Sequence, residues 1–236
     1  MRRIALWQAT MTTTFLLGLV GIASSTSVAA ASSPLFVPAQ KQVNGLSNWG
    51  GYIATGSAGE FKSISAQWRV PLVTCRADKD LYAPWVGIDG DGSSTVEQTG
   101  VQTSCSTGSP VHSAWYEMFP KPAVYFPNPL STGDSISASV TYAAGKFTIT
   151  ISDTTKGWTQ TLQRTVSSRQ KISAEAVIEA PGGYYPAITK VKFTQVLING
   201  ADLNTLNPIT SKTGNSQQAY GPGSIKDGTN FSIKPT

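Results

Sequence analysis

The chain has 236 residues, with 18 lysines and arginines against 13 aspartates and glutamates, one histidine and two cysteines. Its formal charge of +5 is carried by isolated residues such as Lys62, Arg69, Lys121, Lys146, Arg164 and Lys192. No basic run with interleaved aromatics exists, which argues against nucleic-acid binding, and a lone histidine argues against a histidine-rich metal site.

Residues 1–31 read as an export signal. Arg2 and Arg3 supply a positive start, the stretch from Phe15 to Ala23 an apolar core, and small residues lead to cleavage after Ala29 or Ala31. That apolar run is too short to span a bilayer and no later one is long enough, so a secreted, extracellular protein, free of the membrane after signal removal, is expected. Residues 32–47 form a short polar lead-in, and 48–236 are expected to be a single domain.

Helical periodicity is nearly absent. Alternating β-branched and aromatic runs bounded by Gly, Pro, Asn, Asp or Ser predict strands at 49–55, 60–70, 82–88, 95–102, 111–119, 134–142, 146–152, 157–166, 171–180 and 187–199. Residues 143–145 and 154–157 are hairpin connections. Ten short strands at this spacing predict an all-β fold, an antiparallel β-sandwich of two packed, curved sheets of lectin-like type. Residues 203–236, rich in Asn, Gly, Ser and Thr, read as a loop-rich tail with room for an edge strand.

In an exported chain Cys75 and Cys105 are expected to pair, the alternative being two buried thiols. Closing a 30-residue loop would restrict the unfolded chain by about 3–4 kcal/mol. The bridge would tie the two ends of the segment that carries Gln98.

Strand alternation assigns faces. Ser173, Glu175, Val177 and Glu179 share one side of their strand, and Ile172, Ala174, Ala176 and Ile178 the other. Gln98 lies with Val96, Gly100 and Gln102; Trp115, Glu117 and Phe119 lie together, as do Trp85 and Asp89. Six of the acids (Asp89, Asp91, Glu97, Glu117, Glu175, Glu179) fall in these strands and the adjoining loop. Solvated charges scatter as the lysines do, so the concentration predicts an acidic, aromatic-lined groove.

Several chemistries fail on the residues present. His112 has no Gly-x-Ser-x-Gly partner for a serine triad. Asp89-Gly90-Asp91-Gly92-Ser93 has its glycine misplaced for a calcium loop, with Gly100 where a glutamate belongs. No Asp-Thr-Gly or Asp-Ser-Gly exists for a paired-aspartate site. What remains is acid–base work by carboxylates with an amide as neutral donor, which hydrolyses a peptide bond without metal or covalent nucleophile.

Asn48-Trp49-Gly50-Gly51-Tyr52, Ile64-Ser65-Ala66-Gln67-Trp68-Arg69-Val70-Pro71, Trp85-Val86-Gly87-Ile88-Asp89-Gly90, Gln98-Thr99-Gly100-Val101, Ala114-Trp115-Tyr116-Glu117 with Pro120, Gly133-Asp134, and Ala174-Glu175 with Glu179 follow one another in order. In that series the chain resembles the glutamic peptidases, the eqolisin family. The resemblance implies a two-sheet β-sandwich and a pepstatin-insensitive acid endopeptidase with Gln98 and Glu175 as its catalytic pair. Trp85, Asp89, Trp115, Glu117 and Glu179 are then the supporting groove residues. It implies protein and peptide substrates, no cofactor and no metal; nothing calls for an oligomer, so a monomer is expected. The chain departs from fungal relatives in its short lead-in, its basic charge and Ala176 after the catalytic Glu.

Two other readings stay open: a retaining glycosidase using Glu117 and Glu175, and a non-catalytic carbohydrate-binding module. Activity mainly below about pH 5 is expected from a Glu near its reference value of about 4.3. The proline-rich loop 119–129 is expected to be a lid, opposed by residues 182–186.

Overall fold

Alternation is clearest where one strand face meets the core and the other meets water. In Ser135–Ala143 the residues Ile136, Ala138 and Val140 are buried, and in Lys146–Asp153 Phe147, Ile149 and Ile151 are, with serines and threonines between them facing outward. The register pairs Ala143 with Lys146 and leaves Ala144-Gly145 as a two-residue loop. Both have positive φ, 48° and 78°, as a tight hairpin demands.

The computed structural model describes residues 46–166, 170–214 and 218–236. The expected export signal and most of the lead-in lie outside the described residues. The first large sheet runs, in spatial order, β1 (Leu46–Ser47), β16 (Ile209–Thr213), β2 (Trp49–Thr55), β12 (Ser173–Glu179), β5 (Leu81–Ile88), β6 (Val96–Ser104), β7 (Val111–Phe119), β8 (Val124–Tyr125). The second runs β11 (Trp158–Thr165), β10 (Lys146–Asp153), β9 (Ser135–Ala143), β3 (Ser63–Arg69), β14 (Val191–Ile198), β18 (Phe231–Pro235), β17 (Tyr220–Pro222), with β15 (Ala201–Asp202) on β14. A small ladder joins β13 (Ala187–Ile188) to β4 (Val73–Thr74). Pairing is antiparallel except between β1 and β16, and one 3₁₀ turn, Leu203–Leu206, interrupts the strands. The expected all-β sandwich is the fold found.

The tail at 203–236 does more than add an edge. It supplies β16, which sits inside the first sheet between β1 and β2, and both β17 and β18 of the second. Its polar composition hides these strands because they are short, with only Ser211 and Thr213 of β16 and Phe231 and Ile233 of β18 turned inward.

Val86, Ile88, Ala174, Ala176 and Ile178 of the first sheet meet Ile64, Trp68, Val140 and Phe193 of the second in one continuous core. The outward face of the first sheet carries a second apolar cluster, including Trp49, Ile53, Trp85, Val96, Trp115 and Val177. Every residue of β12 is therefore buried on whichever face it points to. Trp49 and Trp85 meet edge to face with centroids 4.9 Å apart, a contact that adds about 0.5–1.5 kcal/mol beyond area burial.

Cys75 and Cys105 form the expected disulfide. Asp80 braces it from inside: its carboxylate accepts the Arg76 and Ala77 N–H groups, and its carbonyl accepts the Cys105 N–H.

Candidate active site

Four strands bring the expected residues onto the outward face of the first sheet, in transverse rows. In one row Ile53 pairs with Glu175, Glu175 with Gly87, Gly87 with Gln98, and Gln98 with Glu117. In the next, Val177 pairs with Trp85, Trp85 with Gly100, Gly100 with Trp115, and Trp115 with Tyr125. A third pairs Trp49 with Glu179 and Glu179 with Ala83. Period-two alternation thus delivers Glu175, Gln98, Glu117, Trp85, Trp115 and Glu179 to one surface.

Glycine opens that surface in the middle. Glu175 and Gln98 are two strand spacings apart, about 10 Å between backbones, and only Gly87 stands between them. Gly100 has the same place in the aromatic row, where an added Cβ would lie 2.7 Å from the Trp85 Cβ, while the Trp85 ring reaches toward Gly87, 2.8 Å from where a Cβ there would be.

Hydrogen bonds fix the polar groups. The Gln98 amide donates to Glu117 Oε2 at 2.6 Å. Asn48 Nδ2 donates to Glu179 Oε1 at 2.6 Å and Trp85 Nε1 to Oε2 at 3.2 Å, which sets the tilt of the indole. The Asp91 N–H points at Glu175 Oε1 from 3.4 Å. Asp89 takes a left-handed conformation, φ 67°, one that Asp tolerates. Its N–H donates to the Ser173 carbonyl and its Oδ1 accepts the Ile172 N–H. Asp89 thereby clamps the end of β5 to the start of β12, the strand bearing Glu175. Gln98 Oε1, Glu117 Oε1 and Glu175 Oε2 are buried with no hydrogen-bond partner among the described residues, and such groups call for one.

Burial governs the electrostatics. It pushes Glu117 up to about 8, against a smaller downward pull from the Gln98 amide. Burial holds Glu175 well above the usual carboxylate range; the Ser173 hydroxyl and the Asp91 N–H offset part of this, and the Asp91 and Asp89 carboxylates add to it. Glu179 is raised by burial and by Glu117, against hydrogen bonds that include those from Trp85 and Asn48. The row is an arrangement of uncharged acids at low pH, able to hold or pass protons.

Several expectations change on this surface. Glu97 pairs with Ile88 and Met118, so it faces the interior, opposite to Gln98. Trp85 and Trp115 are fully buried and form the floor rather than exposed platforms. The expected lid is instead a pinned rim. Tyr125 pairs with Trp115, the Phe126 N–H donates to the Ala114 carbonyl, Gln160 Nε2 donates to Asn128 Oδ1, and Trp158 Nε1 donates to the Pro129 carbonyl. Phe119 and Tyr125 pack on the site cluster, whereas Phe126 packs inward on the main core. Tyr185, expected on an opposing wall, is buried, with its hydroxyl donating to the Asn48 carbonyl. His112 lies between Thr103 and Thr132.

The sequence placed Asp91 only among the groove acids and pointed to no role for Asn48, Gly87 or the pair Tyr125–Gln102, whose hydroxyl-to-carbonyl bond is 2.8 Å. Asn48 and Gly87 were legible as parts of motifs. The others depend on loop closure and register.

The peptidase A4 family model matches residues 47–225. Scytalidopepsin B of Scytalidium lignicola is 38% identical over 112 residues, 47% of this chain and 41% of that protein's length. The matched segment therefore spans about two fifths of that relative. A crystal structure of scytalido-glutamic peptidase with a transition state analog inhibitor superposes with a TM-score of 0.67 at 25% identity, covering 80% of this chain and 98% of that one. A structure of SCP-B, a member of the eqolisin family of peptidases, in complex with the tripeptide Ala-Ile-His gives a TM-score of 0.62 at 25% identity and the same coverage.

Proposed function

Because this chain belongs to the peptidase A4 family, the eqolisins, we propose that it is a secreted glutamic endopeptidase acting on proteins and peptides through Glu175 and Gln98. The observation that carries the reading is the row Glu175–Gly87–Gln98–Glu117. It sets a carboxylate and an amide on the two strands flanking Gly87, which places no side chain between them.

Ionised Glu175 takes a proton from water, and the resulting hydroxide attacks the carbonyl carbon above Gly87. Negative charge moves to the carbonyl oxygen. One Gln98 N–H is held by Glu117; the other donates to that oxyanion. Glu175 then returns its proton to the amide nitrogen, the C–N bond breaks, and a carboxylic acid and an amine leave. Neutral Glu117 suits this role, since an ionised carboxylate beside Gln98 would oppose charge on the oxyanion. Asp89 and Asp91 hold the Glu175 strand and loop, and Glu179 holds Trp85.

Export is supported by the signal-like residues 1–31 and by the Cys75–Cys105 bond, since disulfides persist in oxidising compartments. The glycosidase reading is weakened by the same row: two strands stand between Glu117 and Glu175, and the Glu117 carboxyl is engaged by the Gln98 amide at 2.6 Å. A retaining pair needs carboxyl groups about 5–5.5 Å apart.

The test is digestion of denatured casein with pepstatin and a chelator present. Continued cleavage, lost in Glu175→Gln, supports the proposal. Inhibition by either reagent, or full activity in Glu175→Gln, removes it.

A further inference from the structure

Burial divides the charges unevenly. Eight of the 13 acids are buried: Asp80, Asp89, Glu97, Glu117, Asp134, Asp153, Glu175 and Glu179. None of the described lysines or arginines is. The surface is therefore more basic than the formal +5 suggests, and buried Glu117, Glu175 and Glu179 are held toward their neutral forms.

The positive charge has a place. On the outward face of the second sheet a groove of about 670 Å³ includes Gln67, Arg69, Ser135, Ser137, Lys190 and Lys192 in its lining. A second depression of about 440 Å³ continues from the shared Lys192 past Lys226, Asn230, Ser232 and Lys234. Register makes the two continuous: Ser137 pairs with Gln67, Gln67 with Thr194, and Lys192 with Ser232. Alternation turns Trp68, Ile136, Phe193 and Ile233 inward to the core and their polar neighbours outward. Among the described residues the one ion pair joins Lys156 to Asp134, so no acid neutralises this track by a salt bridge. Asp227, the acid within it, accepts from Asn230 at 3.4 Å.

We propose that this face is a docking surface for an acidic polysaccharide, a linear polyuronate, held along Arg69, Lys190, Lys192, Lys226 and Lys234. A row of cations facing a chain of carboxylates gives the charge complementarity, and Arg69, whose Nη1 donates to the Gly133 carbonyl at 3.0 Å, keeps further N–H donors for a carboxylate. Hydroxyl and amide groups between the cations match sugar hydroxyls. The aromatics beneath, Trp68 and Phe231, are buried, so bases would find no stacking platform, and this favours a polysaccharide over a nucleic acid. The surface lies on the opposite outer face of the sandwich from the Glu175–Gln98 row. Docking would anchor the protein while leaving the peptidase groove open, and it does not depend on the peptidase reading.

The test is retention of the full chain on immobilised polygalacturonate at pH 6, with unsubstituted dextran and duplex DNA as parallel matrices. Lys190→Ser/Lys192→Ser/Lys234→Ser is compared with Lys62→Ser/Lys121→Ser/Lys146→Ser, which removes equal charge elsewhere, and with the single reversal Lys192→Glu. Retention on polygalacturonate and not dextran is expected, weakened about tenfold by the first triple, with the control triple near wild type and thermal unfolding unchanged. Absent retention, equal weakening by both triples, or equal retention on DNA at the same salt would each overturn the proposal.

Discussion

Gln98 and Glu175 stand opposite the same residue: both are register partners of Gly87, from the two sides of β5. The dyad is thus spaced by one strand that contributes no side chain. An added Cβ at Gly87 would lie 2.8 Å from the Trp85 ring and 3.1 Å from the Gln98 Cβ. Gly87→Ala should lower kcat/KM by about 10²-fold, as small displacements of reacting groups do, and cost about 1–3 kcal/mol from overpacking. Peptide kinetics with a thermal melt measure both. Wild-type kinetics would mean that the scissile carbonyl does not sit there.

Glu175→Gln should reduce turnover to background in a folded protein. Gln98→Ala should lower kcat by about 10²–10³-fold, the loss of one oxyanion donor. Glu117→Gln should be milder, because the amide retains an acceptor for Gln98 and the native acid is neutral below about 8. Loss of turnover in Glu117→Gln with a nearly silent Gln98→Ala would return the two-glutamate glycosidase reading.

The pH–rate profile should be a bell. Glu175 acts as base only when ionised, and burial with Asp91 and Asp89 lifts it well above 4.5. The acid limb therefore lies higher than an ordinary Glu would give, which moves the expected range upward from the sequence estimate. Activity should fall as pH passes about 8, where Glu117 ionises beside Gln98. Initial rates across pH 3–10 check this; a rate still rising above pH 9 contradicts it.

Stability should follow the same groups with opposite emphasis. A carboxyl raised by folding contributes stability that is fully present below its unfolded value, near 4.5, and lost as pH rises through its folded value, about 8 for Glu117. Glu175 and Glu179 are shifted the same way. Asp134 opposes them: burial pushes it up, but the Lys156 ammonium and the Ser131 N–H outweigh that, and its net value is lowered below 3.8. Its contribution is lost only as pH falls through that lower value. Tm should be highest near pH 4–5 and decline toward pH 8; a Tm that rises over that interval counts against the buried, neutral glutamates.

Reducing Cys75–Cys105 should lower stability by about 3–4 kcal/mol on the chain-entropy model for a loop of this length. Because Asp80 joins both ends of the bridge to the start of β5, hydrogen exchange should rise first in 75–81 and 104–105. Unchanged protection there would separate the bridge from the segment carrying the dyad.

The sequence alone determined the longer strands, their faces and the family. Period-two alternation is local, so Glu175 with Val177 and Glu179, or Trp115 with Glu117, can be placed on one side of a strand without knowing its neighbour. The series of motifs from Asn48 to Glu179 then pointed to Gln98 and Glu175 as the pair proposed for catalysis. Register was not legible, because it is set by pairing between segments as distant as β5 and β12. Only the folded sheets show that Gly87 separates Gln98 from Glu175, and that Glu97 turns inward. They also show β8 pinning a loop that its prolines suggested was a lid, and a polar tail completing both sheets. Ionisation was equally hidden. A glutamate in the chain is a group near 4.5, and it became a group near 8 in Glu117 only when the sheet took it out of water, since burial penalises its charged form.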